Sequence, residues 1–428
     1  MTRRNFLTLA GGLTGGLAGS LADQLFAAGN APLKITKVEP MVIRTPKDDH
    51  PPDYFLEMTE VGRETGGMGL WNRLDHASPT RFRGATQATL VKITTDQGLV
   101  GWGESHAPAA PRVHQTVISD LFAPILLGQD ARNVETLWEK LYSSQRTRGY
   151  ATGFFTESIA GIDLALWDLL AKYLDAPLYR VLGGKYRDRI PAYTGVGGGT
   201  TEQLQDNCRA LLDRGFSAVK MSLSKGSGTS NVDRVIAASE AIGDRGQLLI
   251  DSLGAYKIHE ARMVGAEIDK LPNIGWWEDA LLPEDVGGFA ELSAALKTPV
   301  CAGEEISNRF QFRDLFEARA VDIINPDVCR AGGVSECRRI AILADVYGVL
   351  WSPHVSTGTA LYLAASTHLA AHTPNAVIIE GGQLLERAFG NVLLKEPLPW
   401  KVGEAQVPER PGIGVEFDEA QLAKVRVS

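Results

Sequence analysis

The chain has 428 residues, of which 44% are hydrophobic and 22% are charged, values typical of globular proteins rather than of disordered or fibrous ones. Its net charge of -8 has the wrong sign for a surface that binds nucleic acid or an acidic membrane. The 4 cysteines are widely spaced and form no CxxC pair, so neither a disulfide framework nor a zinc ribbon is indicated. Beyond the N-terminus, no apolar run is long enough to span a bilayer.

The N-terminus predicts an export signal. Arg3 and Arg4 precede Asn-Phe-Leu, a Gly-rich apolar stretch and a Ser20-Leu21-Ala22 cleavage pattern, which is the order of a twin-arginine signal. A disordered basic tail or a short membrane anchor is the alternative. We expect residues 1–22 or 1–30 to direct the protein to the periplasm and to be removed, which leaves no membrane segment in the mature protein.

The first third of the chain predicts an α+β unit. A strand at 33–43 is followed by a polar loop at 44–84, then by a hairpin at 86–104 and by helical patterns at 134–142 and 159–170. A loop of that length is usually functional, so it is a candidate specificity lid, with a solvated surface loop as the alternative. The loop contains Arg63, Arg73, His76, Arg81 and Arg83, and its positive charge suits an anionic substrate.

From residue 190 onward, short apolar strands alternate with amphipathic helical stretches. The strand candidates are 190–193, 217–221, 248–250, 274–277, 299–302, 321–325, 349–351 and 376–379. This alternation predicts a (β/α)₈-type barrel, in which right-handed crossovers bring the strand ends to one rim. Polar or ionisable residues end the second to the eighth strand: Lys220, Asp251, Glu278, Glu304, Asp327, His354 and Glu380. One such residue could be an ordinary loop residue, but the repeated pattern predicts a shared site at the barrel mouth.

Three of these residues predict a metal site. Asp251, Glu278 and Glu304 end consecutive strands, so three carboxylates face the same space. Carboxylates gathered so closely repel each other unless a cation or a raised pKa compensates them. Oxygen ligands alone, without cysteine, favour Mg²⁺ and disfavour zinc.

The remaining four residues predict acid–base chemistry. Asp327 lies one βα unit before His354, so its carboxylate can orient the imidazole as a general base. Glu380 could share a proton with a developing oxyanion, and Lys220 approaches from the opposite side of the barrel. Together with the metal, these groups describe proton abstraction next to a carboxylate, giving an enediolate.

At these residues the chain resembles the enolase superfamily, in its mandelate racemase and muconate lactonizing branch, over residues 33–428. The matching segments are Ala165–Leu169 with Lys172, Leu182–Gly184, Asp251, Trp277–Glu278, Gly303–Glu304, Asn325–Asp327 with Gly332–Gly333, Ser352–His354 and Pro411–Val415. Within the branch, the chain is most similar to acid-sugar dehydratases of the galactonate type.

The resemblance implies a modified TIM barrel, (β/α)₇β, with an α+β capping domain formed by both terminal segments. We expect a signal at 1–30, the capping domain at 31–155, the barrel at 156–395 and a return to the capping domain at 396–428. The resemblance further implies Mg²⁺ on the three carboxylates named above, an Asp327–His354 dyad and Glu380 near the enediolate.

Two positions depart from the patterns of the branch. Racemases carry Lys-x-Lys on the second strand, whereas this chain has Lys220-Met221-Ser222. Galactonate-type dehydratases have a second histidine two positions after the first metal ligand, where this chain has Leu253. Both departures remove an acid–base group, which disfavours racemization and galactonate as the substrate.

We therefore expect an Mg²⁺-dependent acid-sugar dehydratase, a lyase. His354 would remove the α-proton and, once protonated, assist departure of the C3 hydroxyl, while Lys220 holds or polarises the carboxylate. The product would be a 2-keto-3-deoxy acid. The alternatives are a racemase, epimerase or cycloisomerase that uses His354 with Lys220, and an exported sugar-acid binding protein without turnover. The expected partner is a small anionic sugar acid rather than nucleic acid, and we expect a homo-oligomer.

Overall fold

The computed structural model describes residues 31–44, 87–106, 110–223, 230–381, 384–386 and 389–428. The expected signal at 1–30 and, apart from Arg44, the expected lid at 44–84 lie outside the described residues. Within the described ranges, no helix has the length and apolar character needed to cross a bilayer. All four cysteines are buried and unpaired.

The N-terminal part is a three-stranded antiparallel sheet covered by helices. The sheet has the order β1-β2-β3, and β2 and β3 form the predicted hairpin. A π-helix at Val117–Phe122 joins the first two helices. The elements are β1 (Ile35–Arg44), β2 (Gln87–Thr95), β3 (Val100–Ser105), α1 (Pro111–Thr116), α2 (Ala123–Leu126), α3 (Val134–Ser144), α4 (Phe154–Tyr173) and α5 (Leu178–Val181).

Strand β3 packs directly against the backbone of α4. A Cβ atom at Gly103 would overlap the carbonyl oxygen of Gly161, and one at Gly101 would overlap that of Ala165. Glycine is therefore required at both positions, because any side chain would push the helix off the sheet. Helix α4 is almost wholly buried and crosses the expected domain boundary at residues 155 and 156.

Eight parallel strands follow, each at a position predicted from the sequence. The elements are β4 (Arg189–Gly195), α6 (Thr201–Arg214), β5 (Ala218–Ser222), α7 (Ser230–Ile242), β6 (Gln247–Asp251), α8 (Ile258–Ile268), β7 (Ile274–Glu278), α9 (Val286–Ala295), β8 (Val300–Ala302), α10 (Arg309–Glu317), β9 (Ile323–Ile324), α11 (Gly333–Tyr347), β10 (Leu350–Trp351), α12 (Ala360–His372) and β11 (Ile379–Glu380).

The parallel strands close into a barrel. Strands β4 to β10 pair in sequence order, β11 pairs with β4, and Trp351 bridges to Ala376 just before β11. Inside, Tyr193, Leu249 and Trp276 belong to a small apolar cluster formed by residues from the strands. Since all strands run the same way, their carboxyl ends meet at one mouth.

The last segment returns to the first sheet. It contains β12 (Trp400–Lys401), β13 (Glu404–Gln406), which pairs with β4, and α13 (Glu419–Val425). Beyond α13, Val427 N donates to Val42 O at 2.9 Å, and Ile43 bridges to Arg426. The chain ends of the described region thus meet in the capping domain, and the fold is a TIM barrel with an α+β capping domain.

Candidate active site

The structure brings all seven predicted residues to the barrel mouth. Lys220, Asp251, Glu278 and Glu380 lie within strands β5, β6, β7 and β11, at or near their carboxyl ends. Glu304, Asp327 and His354 follow β8, β9 and β10 by two or three residues. Except for the half-buried Glu380, each is buried, with an exposed fraction of at most 8%.

The three predicted metal ligands form one cluster. Asp251, Glu278 and Glu304 each offer a carboxylate oxygen, and these oxygens lie within 4.8 Å of one another. The ammonium group of Lys220 lies beside them, with Nζ 3.1 Å from Asp251 Oδ2 and 3.0 Å from Glu278 Oε1. It also lies 3.4 Å from Glu380 Oε1. A single cationic side chain therefore contacts three carboxylates.

Glu278 has hydrogen-bond donors at both oxygens. Oε1 accepts from Asn325 Nδ2 at 2.9 Å in addition to Lys220, and Oε2 accepts from Trp276 Nε1 at 2.9 Å. The sequence did not indicate Trp276 as a site residue, and it placed Asn325 only in a family motif. The indole is both part of the apolar cluster and a donor to the carboxylate, so it fixes the orientation of Glu278.

The carboxylates differ in their proton affinity. Burial raises the pKa of Glu278 to about 8 despite the nearby Lys220, and it also raises the pKa of Asp251. Burial acts in the same direction on Glu304, but the charges of His354 and Lys220 outweigh it and lower the pKa of Glu304 to about 2. The cluster thus holds more negative charge than its cationic side chains compensate.

His354 lies among three carboxylates. Its Nδ1 is 2.8 Å from Asp327 Oδ2, and its Nε2 is 3.1 Å from Glu304 Oε2 and 3.8 Å from Glu380 Oε2. Asp327 also accepts from the Cys329 N–H at 2.8 Å. The backbone donor and the imidazole hold Asp327, which in turn holds the ring with Nε2 directed at the acid cluster.

The electrostatic surroundings make this imidazole strongly basic. Burial alone would lower the pKa of His354, but the negative charges of Glu304 and Asp327 raise it to about 10. Asp327 itself has a lowered pKa, because its hydrogen bond and charge interactions with histidines outweigh the effect of burial. The negative charges around the imidazole therefore stabilise its protonated form.

Two family models match the chain. The enolase C-terminal domain-like model matches residues 203–421, and the N-terminal domain of mandelate racemase and muconate lactonizing enzyme matches residues 75–183. A D-galactarolactone cycloisomerase from Agrobacterium fabrum is 34% identical over 375 residues, which cover 83% of this chain and 97% of that protein. The chain belongs to the enolase superfamily.

Solved structures of the superfamily agree with this assignment. The 3,6-anhydro-D-galactonate cycloisomerase from Zobellia galactanivorans is 31% identical, with a TM-score of 0.77 over 92% of this chain and 100% of that one. A superfamily member from Agrobacterium tumefaciens has the same fold, with a TM-score of 0.82 at 24% identity over 93% of this chain and 100% of that one. The expected fold and family are confirmed, and the chain is a superfamily enzyme. Two of these relatives carry isomerase names, whereas the sequence favoured a lyase.

The capping domain contributes groups to this superfamily site that the sequence did not reveal. His106, directly after β3, is buried, and its backbone N–H donates to Cys329 O at 3.0 Å. Burial lowers the pKa of its imidazole to about 4. Its ring lies edge-on to that of Tyr362, whose hydroxyl donates to Asp327 Oδ2. No sequence pattern linked these residues, because they approach only through packing.

Tyr193 was also missed. Its hydroxyl donates to Glu380 Oε2 at 3.3 Å, and its ring lies 5.6 Å from Lys220 Nζ. Tyr193 belongs to β4, the one strand whose end had no predicted site residue. The aromatic ring and its hydroxyl thus hold both Lys220 and Glu380 at the wall of the site.

Two further acids lie at the mouth. Asp279 follows Glu278 directly, and Glu305 follows Glu304. Asp279, Glu304 and Glu305 form a second group of carboxylates whose oxygens lie within 4.8 Å of one another. The Glu-Asp and Glu-Glu pairs are visible in the sequence, but only the first member of each was assigned to the site.

Proposed function

We propose that this enzyme is an Mg²⁺-dependent cycloisomerase that opens the ring of a cyclic sugar acid. It would remove the proton α to the carboxylate and eliminate the ring oxygen from the β-carbon. One observation carries the proposal: among the described residues, one imidazole, oriented by Asp327, faces the acid cluster, whereas Lys220 is held by three carboxylates. A base on one face of the substrate suits elimination, since racemization needs a base on each face.

The donor set fits Mg²⁺. Asp251, Glu278 and Glu304 supply three hard oxygen ligands at the ends of adjacent strands, which leaves positions for water or substrate. When bound, the ion would neutralise the ligand carboxylates and the substrate carboxylate, which acidifies the α-proton and favours the neutral imidazole that proton removal requires.

His354 is the proposed base. Asp327 fixes its Nδ1, so the proton taken from the substrate enters at Nε2. The imidazolium then stays on the same face and returns the proton to the departing oxygen, a syn elimination. In this step the α-C–H and β-C–O bonds break, a C=C bond forms, and the enol becomes a 2-keto-3-deoxy acid by tautomerisation.

Lys220 and Glu380 are proposed to act on the substrate carboxylate and on the developing oxyanion. The ion pairs of Lys220 with three carboxylates favour its charged ammonium form, and they raise its pKa well above its usual value although burial opposes this. We assign it an electrostatic role toward the substrate carboxylate. Glu380, half-buried and beside His354 Nε2, lies where it could share a proton with the developing oxyanion.

The leaving group decides the reaction class. In a 3,6-anhydro-aldonate, or in an aldarolactone closed at the β-carbon, the β-oxygen belongs to a ring, so elimination yields an isomer and no atom is lost. The names of the two relatives with 34% and 31% identity specify such ring compounds, which supports this choice. With an open-chain aldonate, the same steps release water. That is the dehydratase expected from the sequence, which remains the second candidate.

A substrate panel separates these reactions. The purified enzyme with Mg²⁺ would be incubated with 3,6-anhydro-aldonates, aldarolactones, and open-chain aldonates and aldarates, and 2-keto-3-deoxy products would be detected with semicarbazide. Mass spectrometry then distinguishes an isomer from a product lighter by one water. We expect turnover of a ring compound, its loss in His354→Asn, and its retention in His259→Asn, a histidine exposed on α8.

Other results would overturn the proposal. Turnover confined to open-chain acids would establish the dehydratase. Exchange of the α-proton in D₂O with return of a stereoisomer would indicate an epimerase. Ligand-dependent thermal stabilisation without product or exchange would indicate a binding protein.

Export and assembly remain predictions. We propose a periplasmic homo-oligomer, for which fractionation of cells and light scattering of the mature protein are direct tests. Changing Arg3 and Arg4 to lysine should retain the protein in the cytoplasm, and a monomer in light scattering would contradict the expected assembly.

A further inference from the structure

The second acid group adjoins the first and shares one residue with it. Asp279 follows the last residue of β7, and Glu304 and Glu305 follow β8. Their carboxylate oxygens also lie within 4.8 Å of one another. Glu304 belongs to both groups, so the two sets of carboxylates form one continuous acidic surface around it.

Asp279 has a buried oxygen without a partner. Its side chain is 3% exposed, and its Oδ2 atom has no hydrogen-bond partner. In the described part of the chain, no lysine, arginine or histidine lies within ion-pair distance of Asp279 or Glu305; the cationic side chains at the mouth pair with other acids. A buried carboxylate oxygen without a donor costs free energy unless a cation or a proton satisfies it.

One divalent ion does not balance the charge of the described residues at the mouth. The carboxylates there are Asp251, Glu278, Asp279, Glu304, Glu305, Asp327 and Glu380, and the described cationic groups are Lys220, Arg330 and, when protonated, His354. With one Mg²⁺ in the first group, the negative charges of these described residues still exceed the positive ones. An anionic substrate would increase this excess, and like charges in a buried site are strongly unfavourable.

We propose that Asp279, Glu304 and Glu305 bind a second divalent cation, Mg²⁺ or Mn²⁺, with Glu304 shared between the two ions. The ligands are again hard oxygens, which such cations prefer. The second site does not depend on the reaction proposed above, and it is related to the proposed first ion only through Glu304. The competing explanation is a proton shared between Glu304 and Glu305.

The test is a count of bound ions. Metal-free protein would be titrated with Mn²⁺ at pH 8, and free Mn²⁺ would be followed by its electron paramagnetic resonance signal. We expect two ions per wild-type chain, one in Asp279→Asn, one in Glu305→Gln and one in Asp251→Asn. Anomalous difference density from a Mn²⁺-soaked crystal would locate each ion, and circular dichroism would show whether each variant folds.

The outcomes separate the two sites. If the wild type binds one ion, and if that ion is retained in Asp279→Asn but lost in Asp251→Asn, the second site is overturned and the shared proton is favoured. If the wild type binds one ion, and if that ion is lost in Asp279→Asn but retained in Asp251→Asn, the first site is contradicted and the second is supported. No bound ion would contradict both. If Asp279→Asn fails to fold, Glu305→Gln at the half-buried position gives the same readout.

Discussion

Glu104 in the capping sheet accepts hydrogen bonds from the backbone N–H and the side-chain hydroxyl of Thr359, the residue that caps helix α12. Glu104 Oε1 lies 3.0 Å from the Thr359 N–H, and Oε2 lies 2.5 Å from its hydroxyl oxygen. Thr359 is on the segment that leads from His354 into α12. The capping domain therefore fixes the barrel segment that follows the base.

This contact predicts a pH dependence of stability. Burial raises the pKa of Glu104 from 4.5 to about 7, although the bonds from Thr359 oppose the shift. The folded state thus holds an extra proton, so the stabilisation is complete below about pH 4.5 and is lost as the pH rises to about 7. The free energy of unfolding, from urea titrations at pH 5 and pH 8, should fall by about 2 to 3 kcal/mol more in the wild type than in Glu104→Gln. If the free energy of unfolding falls by the same amount in both proteins, Glu104 ionises at its ordinary pKa.

The dyad predicts the effect of Asp327→Asn. An asparagine cannot stabilise the imidazolium at 2.8 Å as a carboxylate does, so proton removal should slow. We expect kcat to fall by about 10²–10⁴-fold with little change in KM, measured on the substrate that the panel identifies. The conservative Asp327→Glu variant should recover part of the loss. An effect on KM alone would place Asp327 in substrate binding instead.

The position of Lys220 predicts that its ammonium group competes with Mg²⁺ for the carboxylates. Its ammonium lies 3.1 Å from Asp251 and 3.0 Å from Glu278, two of the proposed metal ligands. In Lys220→Met, the affinity for Mg²⁺ measured by calorimetry should rise about tenfold, since a competing positive charge is removed, while turnover falls. Lys297→Met, at an exposed position, is the matched control. Unchanged affinity would mean that the ammonium does not oppose cation binding.

The contact between β3 and α4 predicts a strong effect of Gly103→Ala. The added methyl group would overlap the Gly161 carbonyl, so the helix must move or the strand must distort. We expect a loss of at least about 2 kcal/mol in the free energy of unfolding, from thermal or urea denaturation. Gly287→Ala, at an exposed position of α9 with no atom within 4 Å of the new Cβ, should change stability by less than about 1 kcal/mol. Similar values for both variants would contradict the close packing.

The barrel and its acidic rim could be predicted because their signals are local. A βα unit repeats along the chain, and the residue at each strand end, such as Glu278 or His354, follows from that repeat. The supporting groups could not be predicted. Tyr362 reaches Asp327 from a helix, and Glu104 meets a residue 255 positions away, so both contacts depend on packing that no sequence spacing encodes.

The outer edge of β1 has a consequence for folding during synthesis. Val42 N donates to Ser428 O at 3.1 Å, and Val427 N donates to Val42 O, so residues from the far end of the chain cover the edge of the first sheet. On the ribosome, β1 emerges early, and the part of its outer edge near Val42 stays open until residues 426–428 have been made and have folded back. A nascent chain of this protein is therefore exposed to edge-to-edge aggregation throughout synthesis of the barrel.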